Sequence, residues 1–325
     1  MRPRIQLVGS ILRANVRAYA ALGSPVAAVV KNDGYGWGAA RIAREVDDSV
    51  ESYVVADGVE FWALSMHTHR PIRLLEAADP ATIAALCAHG GVPNVTTREA
   101  VAAAAAFAAA ANRRVTVRVG IIDVAGWSGI PARDAGAFAA LCAGHDLRVE
   151  LWTHITSAAR ADEAANAFES AIVVFRNAAV DFAGTDSAST AWASSARRGD
   201  RLRIGAGMFG ARLGANVATT CAIRVDAPVV QWFAPGSVRW AGYGDLPVPA
   251  HRGVAVLRCG YGDGYPKELA GADDILSVGM QYTTRFADHA AREYALIDER
   301  SNLDELADRV GLGPHEFIVG LAQQT

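Results

Sequence analysis

The feature of this sequence that most restricts its fold is an alternation of short apolar runs with longer alanine-rich stretches over the first two-thirds of the chain. The short runs are typical of β-strands, and the stretches between them have helical patterns. Strands that alternate with helices pair in parallel, through right-handed crossovers. The predicted strands are 27–31, 53–56, 72–75, 115–120, 149–155, 180–184 and 201–205, with a further candidate near 92–96. The predicted helices are 39–48, 58–66, 80–89, 98–111, 132–144, 161–178 and 187–198.

The number of strand–helix units, about eight, is that of a closed barrel. We therefore predict an α/β fold whose N-terminal part is a TIM-like (β/α)8 barrel. An open doubly wound sheet is the competing architecture, but its first strand is usually followed by a glycine pattern such as G-x-G-x-x-G. The glycines after the first predicted strand, in KNDGYGWG (31–38), do not have that spacing.

The character of the sequence changes near residue 222. Long helical patterns are replaced by segments rich in Val, Pro and Gly, with the two-residue period of strands, which predict a smaller β domain. We therefore predict a barrel domain over residues 1–222 and a β domain over residues 223–325. Residues 1–8 contain a strand-like piece before the first barrel helix and are candidates for pairing with the β domain. One more helix is predicted at 302–311, capped by Asn302.

Composition and charge exclude several functional classes. The 325 residues are 51% hydrophobic, which is enough for a large core, and the net charge of -3 offers no basic surface for nucleic acid. No apolar run reaches the roughly 18 residues that span a bilayer, and polar residues interrupt the first segment too early for a secretory leader. The four cysteines are far apart, so we interpret them as buried hydrophobes in a reducing compartment and expect no metal site. We expect a cytoplasmic protein without nucleic-acid or membrane partners.

One residue indicates a covalent chemistry. Lys31 and Lys267 are the only lysines, against 29 arginines, and Lys31 ends the first predicted barrel strand. In a parallel barrel the C-terminal ends of the strands face the ligand site. A lysine that is desolvated there loses its proton more easily, and a neutral amine is a nucleophile towards carbonyl groups. A solvent-exposed lysine that opens a loop is the plainer alternative, against which the scarcity of lysine in this chain argues.

The segment around Lys31, VAAVVKNDGYGWGA (26–39), resembles the cofactor-lysine segment of the alanine racemase family, whose typical form is V-K-A-[ND]-A-Y-G-H-G. Other segments resemble motifs of the same family, in the family's order and along nearly the whole chain. Each motif is weak by itself, but their order and the barrel-then-β organisation together are a strong indication. These segments are LWTHITSAARADE (151–163), DSAST (186–190), RLRIGAGMFG (201–210), GYGDLPVPAHRGVAVLRCGYGDGYPK (242–267) and NLDELADRVGLGPHEF (302–317).

The resemblance implies a cofactor, an assembly and a reaction. The barrel would hold pyridoxal 5'-phosphate, and the protein would be a head-to-tail homodimer whose active sites contain residues of both subunits. The implied enzyme is an isomerase, an amino-acid racemase or epimerase, which removes a proton from one face of Cα and delivers another to the opposite face. By position, Lys31 would be joined to the cofactor and serve one face as a catalytic base. Tyr243 of the other subunit would serve the opposite face.

The resemblance also assigns the residues that would hold the cofactor. His154 would lie against the pyridine ring. Arg203 would face the ring nitrogen and keep it unprotonated, because an arginine does not give up its own proton. The phosphate would be bound by Tyr35, Ser187 and the backbone N–H groups of Gly205 and Ala206.

The substrate side departs from the family pattern. Tyr265 would line the mouth of the site, and the backbone N–H of Met280 would help to bind the substrate carboxylate. In the family segment K-x-D-T-G-M-x-R-x-G, an often carbamylated lysine precedes an arginine that reaches this carboxylate. Here Arg118 stands at the lysine's place and would compensate in part as a substrate-binding residue, while Trp127 or Ser128 stands at the arginine's place.

Two further differences lie on the same side. The segment SVGMQYT lacks an aspartate that the family has next to the methionine, and our alignment places Gln323 about where the family has a tyrosine near the active site. The cofactor side is intact, whereas the residues around the substrate carboxylate and side chain are changed. We therefore predict that the substrate is an amino acid other than plain alanine.

Plainer interpretations and other functions stay open at this point. A decarboxylase or aldolase of the same fold would keep the cofactor, and a non-catalytic pyridoxal phosphate-binding protein would keep only the lysine. The chain keeps Tyr243 and a β domain. These features favour a racemase, with proton transfer on two sides of Cα, over a decarboxylase or aldolase and over a non-catalytic binding protein. Taken singly, His154 could be a core histidine, Tyr243 and Tyr265 packing aromatics, Arg203 a partner of Asp181 or Asp186, and Ser187 the cap of the helix at 187–198.

Overall fold

The computed structural model describes residues 2–124, 126–155, 158–187, 190–192 and 199–323. Its first strand, β1 (Arg4–Leu7), belongs to a C-terminal sheet, and the next eight strands form one parallel sheet. That sheet curls on itself, and its edges meet at a parallel bridge between Asp186 and Arg201. The predicted (β/α)8 TIM-like barrel is thereby confirmed. The barrel strands are β2 (Val26–Val29), β3 (Ser52–Val55), β4 (Ile72–Ala77), β5 (Gly91–Asn94), β6 (Val115–Gly120), β7 (Leu147–Trp152), β8 (Asp181–Thr185) and β9 (Leu202–Ile204).

Helices connect the barrel strands, and the longest alanine run shows how the sequence determines them. The Thr97 side chain accepts a hydrogen bond from the Ala100 N–H at 3.1 Å and so caps the helix Arg98–Ala111. Alanines four residues apart give this helix a flat buried face, and Asn112 ends it in the left-handed conformation. The helices of this part are α1 (Gly9–Ala20), α2 (Lys31–Tyr35), α3 (Ala39–Val46), α4 (Gly58–Ser65), α5 (Pro80–Ala88), α6 (Arg98–Ala111), α7 (Ala135–Cys142) and α8 (Ala161–Asn177).

Three differences from the predicted elements bear on the site. The strand expected at 27–31 ends at Val29, and Lys31 begins the single helical turn α2 instead. The strand expected at 149–155 ends at Trp152, so that His154 lies beyond its end. The helix expected at 187–198 lies mostly outside the described residues, and a short 3₁₀ turn, Thr190–Trp192, is the described part of it.

A second, antiparallel sheet follows the barrel. Strand β1 pairs with the long strand at Ile223–Phe233, which also pairs with two strands further along the chain. The sequence-based division at residue 222 stays a prediction, although the first strand of this sheet after the barrel begins at Ile223. The elements of this part are β10 (Ile223–Phe233), β11 (Trp240–Ala241), β12 (Leu246–Pro247), β13 (Val254–Leu257), β14 (Ile275–Val278), β15 (Thr283–Phe286) and β16 (Glu293–Ile297).

Two helices end the described chain and return it to the barrel. The first, α9 (Leu303–Arg309), is the helix predicted with Asn302 as its cap, and the Asn302 side chain accepts from the Asp304 N–H at 3.1 Å. The second, α10 (Pro314–Ala322), is not predicted. It packs beside the turn that follows β2, where the indole N–H of Trp37 donates to the Ile318 carbonyl at 3.2 Å. The C-terminal segment therefore lies close to the C-terminal ends of the barrel strands.

The described ranges lack two kinds of feature, a membrane-spanning helix and a metal-binding cluster. No helix in them combines the length and the apolar character that crossing a bilayer requires. Nor do they contain three or more His, Cys, Asp or Glu side chains grouped so as to hold a metal ion.

Candidate active site

A cavity of about 1190 Å³ opens at the C-terminal ends of the barrel strands. It is the place where parallel barrels carry their ligands. Six of the residues selected from the sequence line it together: Lys31, Tyr35, His154, Ser187, Arg203 and Gly205. The rest of the wall comes partly from Trp127, from Trp152 at the end of β7, and from the terminal helix α10.

The turn that carries Lys31 has an unusual backbone. Asn32 and Asp33 have φ values of 54° and 47°, and Gly34 and Tyr35 also have positive φ. Left-handed geometry costs a non-glycine residue roughly 1–2 kcal/mol. Hydrogen bonds hold the turn in place, since the Asp33 carboxylate accepts from the Ala39 N–H at 2.7 Å and the Gly34 N–H donates to the Val30 carbonyl at 2.8 Å. Such strain is typical of functional sites, and here it places Lys31 and Tyr35 on the wall of the same cavity.

The amine of Lys31 is surrounded mainly by groups that disfavour its charge. Burial lowers the pKa of Lys31, the positive charge of Arg203 lowers it further, and the carboxylate of Glu60 acts in the opposite direction. The Nζ atom also lies 5.2 Å from the centroid of the Trp127 ring. The lysine that the sequence singles out is thus half-buried, with its affinity for a proton reduced.

The phenol of Tyr35 is fitted against Gly205. A Cβ atom at position 205 would overlap the Tyr35 hydroxyl, and Gly205 has an ordinary negative φ of -122°. The glycine is therefore required for space. Burial raises the pKa of Tyr35, so that its hydroxyl stays a hydrogen-bond donor. Ala206 follows directly, buried, as the first residue of the 3₁₀ turn Ala206–Phe209.

Ser187 and Arg203 are joined to each other and to the barrel. The Arg203 backbone N–H donates to the Ser187 Oγ at 2.8 Å, which leaves the hydroxyl proton of Ser187 for another acceptor. The Arg203 guanidinium donates from Nη2 to the Thr153 carbonyl at 2.6 Å. Its Nη1 is buried and finds no hydrogen-bond acceptor in the described part of the chain. Arg203 also lines the cavity, so its guanidinium brings a positive charge to the wall where a ligand would bind.

Arg118 does not line the cavity, which corrects the expectation that it contacts substrate. Its side chain is fully buried inside the barrel, where Nη2 donates to Asp186 Oδ2 at 2.7 Å. Asp186 also accepts from Arg201 Nε at 3.0 Å and lies 4.0 Å from Arg203 Nη1. Burial alone would raise the pKa of Asp186, but Arg118 and Arg201 outweigh it and hold that pKa below the ordinary carboxyl range. Arg118 therefore belongs to a buried ion cluster beneath the cavity.

His154 is neutral in this environment. Burial, followed by the charges of Arg203 and Lys31, lowers the pKa of His154 to about 3. Its ring packs against Trp127 with the centroids 4.3 Å apart. Of the two residues that the sequence offers at the place of the family's arginine, Trp127 is the one on the cavity wall. Ser128 instead uses its carbonyl to accept from the Asn94 side chain at 3.1 Å.

The three residues expected from the β domain lie apart from this cavity. Tyr243 and Met280 are 82% and 59% exposed on the β domain, and a Cβ atom at the intervening Gly279 would be 3.0 Å from the Tyr243 ring. Neither is among the described residues that line the cavity of this chain. Tyr265 is only 2% exposed and belongs to the main hydrophobic core. The expectation that Tyr265 lines the mouth of the site therefore does not match its position.

Sequence reasoning missed His315, which lies on the cavity wall at the start of α10. Its ring centroid is 6.0 Å from that of Tyr35. Burial and the charge of Lys31 lower the pKa of His315, although Glu316 beside it acts in the opposite direction. The signal was present, because Pro314 suits the first position of a helix and the Glu316 carboxylate accepts from the Gly313 N–H at 2.8 Å. Gln323, at the other end of α10, also lines the cavity.

Known proteins resemble this chain over nearly its whole length. The sequence matches the family described as alanine racemase, N-terminal domain, over residues 10–213. An alanine racemase of Methylobacterium sp. (strain 4-46) is 26% identical over 356 residues, which cover 98% of this chain and 96% of that protein.

Solved structures of racemases have the same fold. An alanine racemase of Bartonella henselae with covalently bound pyridoxal phosphate is 16% identical, with a TM-score of 0.73 over 99% of this chain and 97% of that one. A histidine racemase of Leuconostoc mesenteroides subsp. sake is 20% identical, with a TM-score of 0.72 over 99% of this chain and 95% of that one. At such identities these two likenesses show the fold alone. The family match, however, covers more than half of the sequence and includes the barrel strands around the cavity, and the chain therefore belongs to the alanine racemase family.

Proposed function

We propose that this protein is a pyridoxal 5'-phosphate-dependent amino-acid racemase or epimerase, in which Lys31 and Tyr243 exchange protons with opposite faces of a substrate Cα. The observation that carries the proposal is the half-buried amine of Lys31, with its lowered pKa, in one cavity with Tyr35, Ser187 and Arg203. The family membership supports the same reaction class.

The residues present fit the proposed cofactor. A phosphate would be bound by the hydroxyl groups of Tyr35 and Ser187 and by the N–H groups of Gly205 and Ala206, which begin a helical turn. The Arg203 guanidinium, which lines the cavity, would face the pyridine nitrogen. The neutral ring of His154 would lie against the cofactor ring. When bound, pyridoxal phosphate supplies an electron-accepting ring that acidifies the Cα–H of an attached amino acid.

The protein's own part in the reaction is to move protons on two sides. The Lys31 amine can hold the proton taken from one face, because its lowered pKa makes the neutral, proton-accepting form easier to reach. A second acid must stand on the opposite face, and Tyr243 has the phenol for this task. Tyr243 is too exposed in one chain to serve the cavity of that chain. We therefore propose a homodimer in which each subunit lends its Tyr243 to the site of the other.

The proposed substrate is an amino acid other than plain alanine. Trp127 occupies the cavity wall at the place where the family has a carboxylate-binding arginine. An indole cannot form the charge-assisted pair that an arginine forms with a carboxylate. It offers instead a broad apolar face, which suits a larger side chain. The relative described as a histidine racemase shows that this fold occurs with a substrate other than alanine.

Exchange at Cα tests the reaction directly. We expect the purified protein, supplied with pyridoxal phosphate in D₂O, to exchange the Cα–H of at least one member of a panel of amino acids. Borohydride treatment of the loaded protein should fix the cofactor on residue 31 and leave Lys267 unmodified. No exchange with any amino acid would count heavily against the proposal. Release of CO₂ or of an aldehyde without exchange would favour the decarboxylase or aldolase reaction.

Shared active sites can be tested by mixing two inactive variants. Lys31→Ala lacks one base and Tyr243→Phe lacks the other, so each should lose about 10²–10⁴-fold in kcat. In a mixed dimer, one of the two sites would combine Lys31 of one chain with Tyr243 of the other. We expect roughly a quarter of the parental activity after random reassociation. If the mixture stays inactive while Tyr282→Phe, a control on the same domain, is fully active, the sites are not shared.

A further inference from the structure

The carboxylate of Glu60 connects the ends of two neighbouring barrel strands. Its Oε1 accepts from the Asn32 N–H at 2.5 Å, and its Oε2 accepts from the Ala56 N–H at 2.8 Å. Ala56 directly follows β3, and Asn32 directly follows Lys31. Both oxygen atoms of one side chain are thus used to hold the backbone that carries the lysine.

Glu60 is itself held in place from its own helix. It lies in the first turn of α4, and its backbone N–H donates to the side chain of Asp57, the capping residue, at 2.9 Å. An ordinary glutamate at this helix position reaches back to the capping residue, or faces solvent. Glu60 instead reaches across to a different loop, which indicates a role beyond helix capping.

The loop that it reaches is the strained one. Asn32 has φ 54° and ψ 50°, and the three residues that follow it also have positive φ. The Glu60 carboxylate is a charged acceptor for the Asn32 N–H, and hydrogen bonds to charged groups are stronger than those between neutral groups. Loss of this bond would release the turn at the residue next to the amine.

The charge of Glu60 has a second effect on Lys31. The charged or titratable groups that bear on the amine are Arg203 from β9, His154 from beyond β7, His315 from α10 and Glu60 from α4. Arg203 lowers the pKa of Lys31 and Glu60 raises it. Glu60 therefore opposes an otherwise cationic surrounding.

We propose that Glu60 is a positioning residue for Lys31, which locks the left-handed turn through two backbone hydrogen bonds and keeps a negative charge beside the amine. Its relevance to catalysis rests on the proposed function, since Lys31 must be the reacting amine. Its effect on the lysine itself does not depend on that function, and it can be measured without turnover.

The scarcity of lysine makes the measurement direct. With ¹³C at the lysine Cε, the full chain freed of cofactor gives one signal for Lys31 and one for Lys267, which Lys267→Arg assigns. In Glu60→Gln, which keeps the shape and removes the charge, the Lys31 signal should titrate at lower pH than in the parent. The Lys31 amine should also react with a neutral amine-specific reagent about two- to fivefold faster at pH 8. The Lys267 signal should not move.

Two further variants separate position from charge. Glu60→Asp keeps the charge but is one methylene shorter. The Lys31 signal should therefore titrate closer to the parental pH than it does in Glu60→Gln. The kcat should stay lowered, because the bridge to Asn32 and Ala56 is broken. Glu99→Gln removes a carboxylate from the first turn of α6, away from the cavity, and should leave Lys31 unchanged. The inference is overturned if Glu60→Gln titrates and reacts as the parent or as Glu99→Gln does. A shift of Lys31 in a chain that exchanges no Cα proton would instead contradict the proposed function and leave this inference intact.

Discussion

The Nζ atom of Lys31 lies over the indole ring of Trp127, 5.2 Å from its centroid. In the proposed reaction, a substrate nitrogen that approaches this amine would pass beside an aromatic face. The ring of His154 packs against the same indole, with the centroids 4.3 Å apart. The Lys31 amine, the Trp127 indole and the His154 imidazole thus form one wall of the cavity.

This wall predicts the effect of shortening Trp127. Trp127→Ala should raise KM for the protein's own substrate about three- to tenfold, because the aromatic face that contacts the substrate is removed. Trp127→Phe should retain most of the affinity. The dissociation constant of pyridoxal phosphate, measured by absorbance, should change less than KM in both variants. Trp62→Ala, on the outer helix α4, is the control, and an equal rise of KM there would contradict the assignment.

A single methyl group at position 205 should weaken cofactor binding. Gly205→Ala places a Cβ atom on the Tyr35 hydroxyl, so either the tyrosine or the phosphate-binding turn must move. We expect at least a tenfold loss of affinity for pyridoxal phosphate, with the far-UV spectrum unchanged. Gly136→Ala, in α7 where a Cβ would meet no atom within 4 Å, should bind as the parent does. Normal binding by Gly205→Ala would show that this turn does not hold the phosphate.

The barrel could be predicted because its determinants are local. Apolar runs, alanine-rich stretches and capping residues such as Thr97 each fix their own element, and the count of these elements then indicates the closed sheet. The left-handed turn after Lys31 could not be predicted in the same way. Its conformation is stabilised by hydrogen bonds to partners such as Glu60, which lies 28 residues further along the chain.

Side-chain direction limited the prediction of the site. Arg118 is on a barrel strand, but whether a residue there faces the cavity or the interior depends on the pairing of Asp186 with several arginines, which sequence order does not give. Tyr265 lies in a motif that matches the family, yet it is packed into the core of this chain. His315 was missed because the helix that carries it was not recognised, although its cap was visible in the sequence.

Asp186 should contribute strongly to stability. Asp186→Asn leaves Arg118 buried with its charge uncompensated, which typically costs about 3–5 kcal/mol. The midpoint of urea unfolding should fall accordingly. Asp181→Asn, at the start of β8, which ends just before Asp186, removes an acid that pairs with the exposed arginines Arg114 and Arg148 and should cost less than about 1 kcal/mol. Equal effects of the two substitutions would contradict the buried ion cluster.

The same cluster predicts a loss of stability in acid. The folded pKa of Asp186 lies below the value of an unfolded aspartate, near 3.9, so the unfolded chain binds the proton first as the pH falls. The stability that Asp186 provides is fully present above that value and is lost as the pH falls further towards the folded pKa. Unfolding free energies of the parent and of Asp186→Asn should therefore converge below about pH 4. If the difference in unfolding free energy between the parent and Asp186→Asn stays constant down to pH 2, Asp186 does not act through its charge.

His154 should make the stability depend on pH in a higher range. Its folded pKa, about 3, lies below that of an unfolded histidine, so between these values the unfolded chain binds more protons than the folded one. Stability is therefore complete above about pH 6.5 and falls as the pH is lowered towards 3, by at most about 1.4 kcal/mol per pH unit. His154→Gln removes the titrating group, so its unfolding free energy should decline less steeply between pH 6.5 and pH 4.5. His145→Gln removes an exposed imidazole before β7 and should retain the parental slope. If His154→Gln keeps that slope as well, the imidazole is protonated in the folded protein and would not lie as a neutral ring against the cofactor.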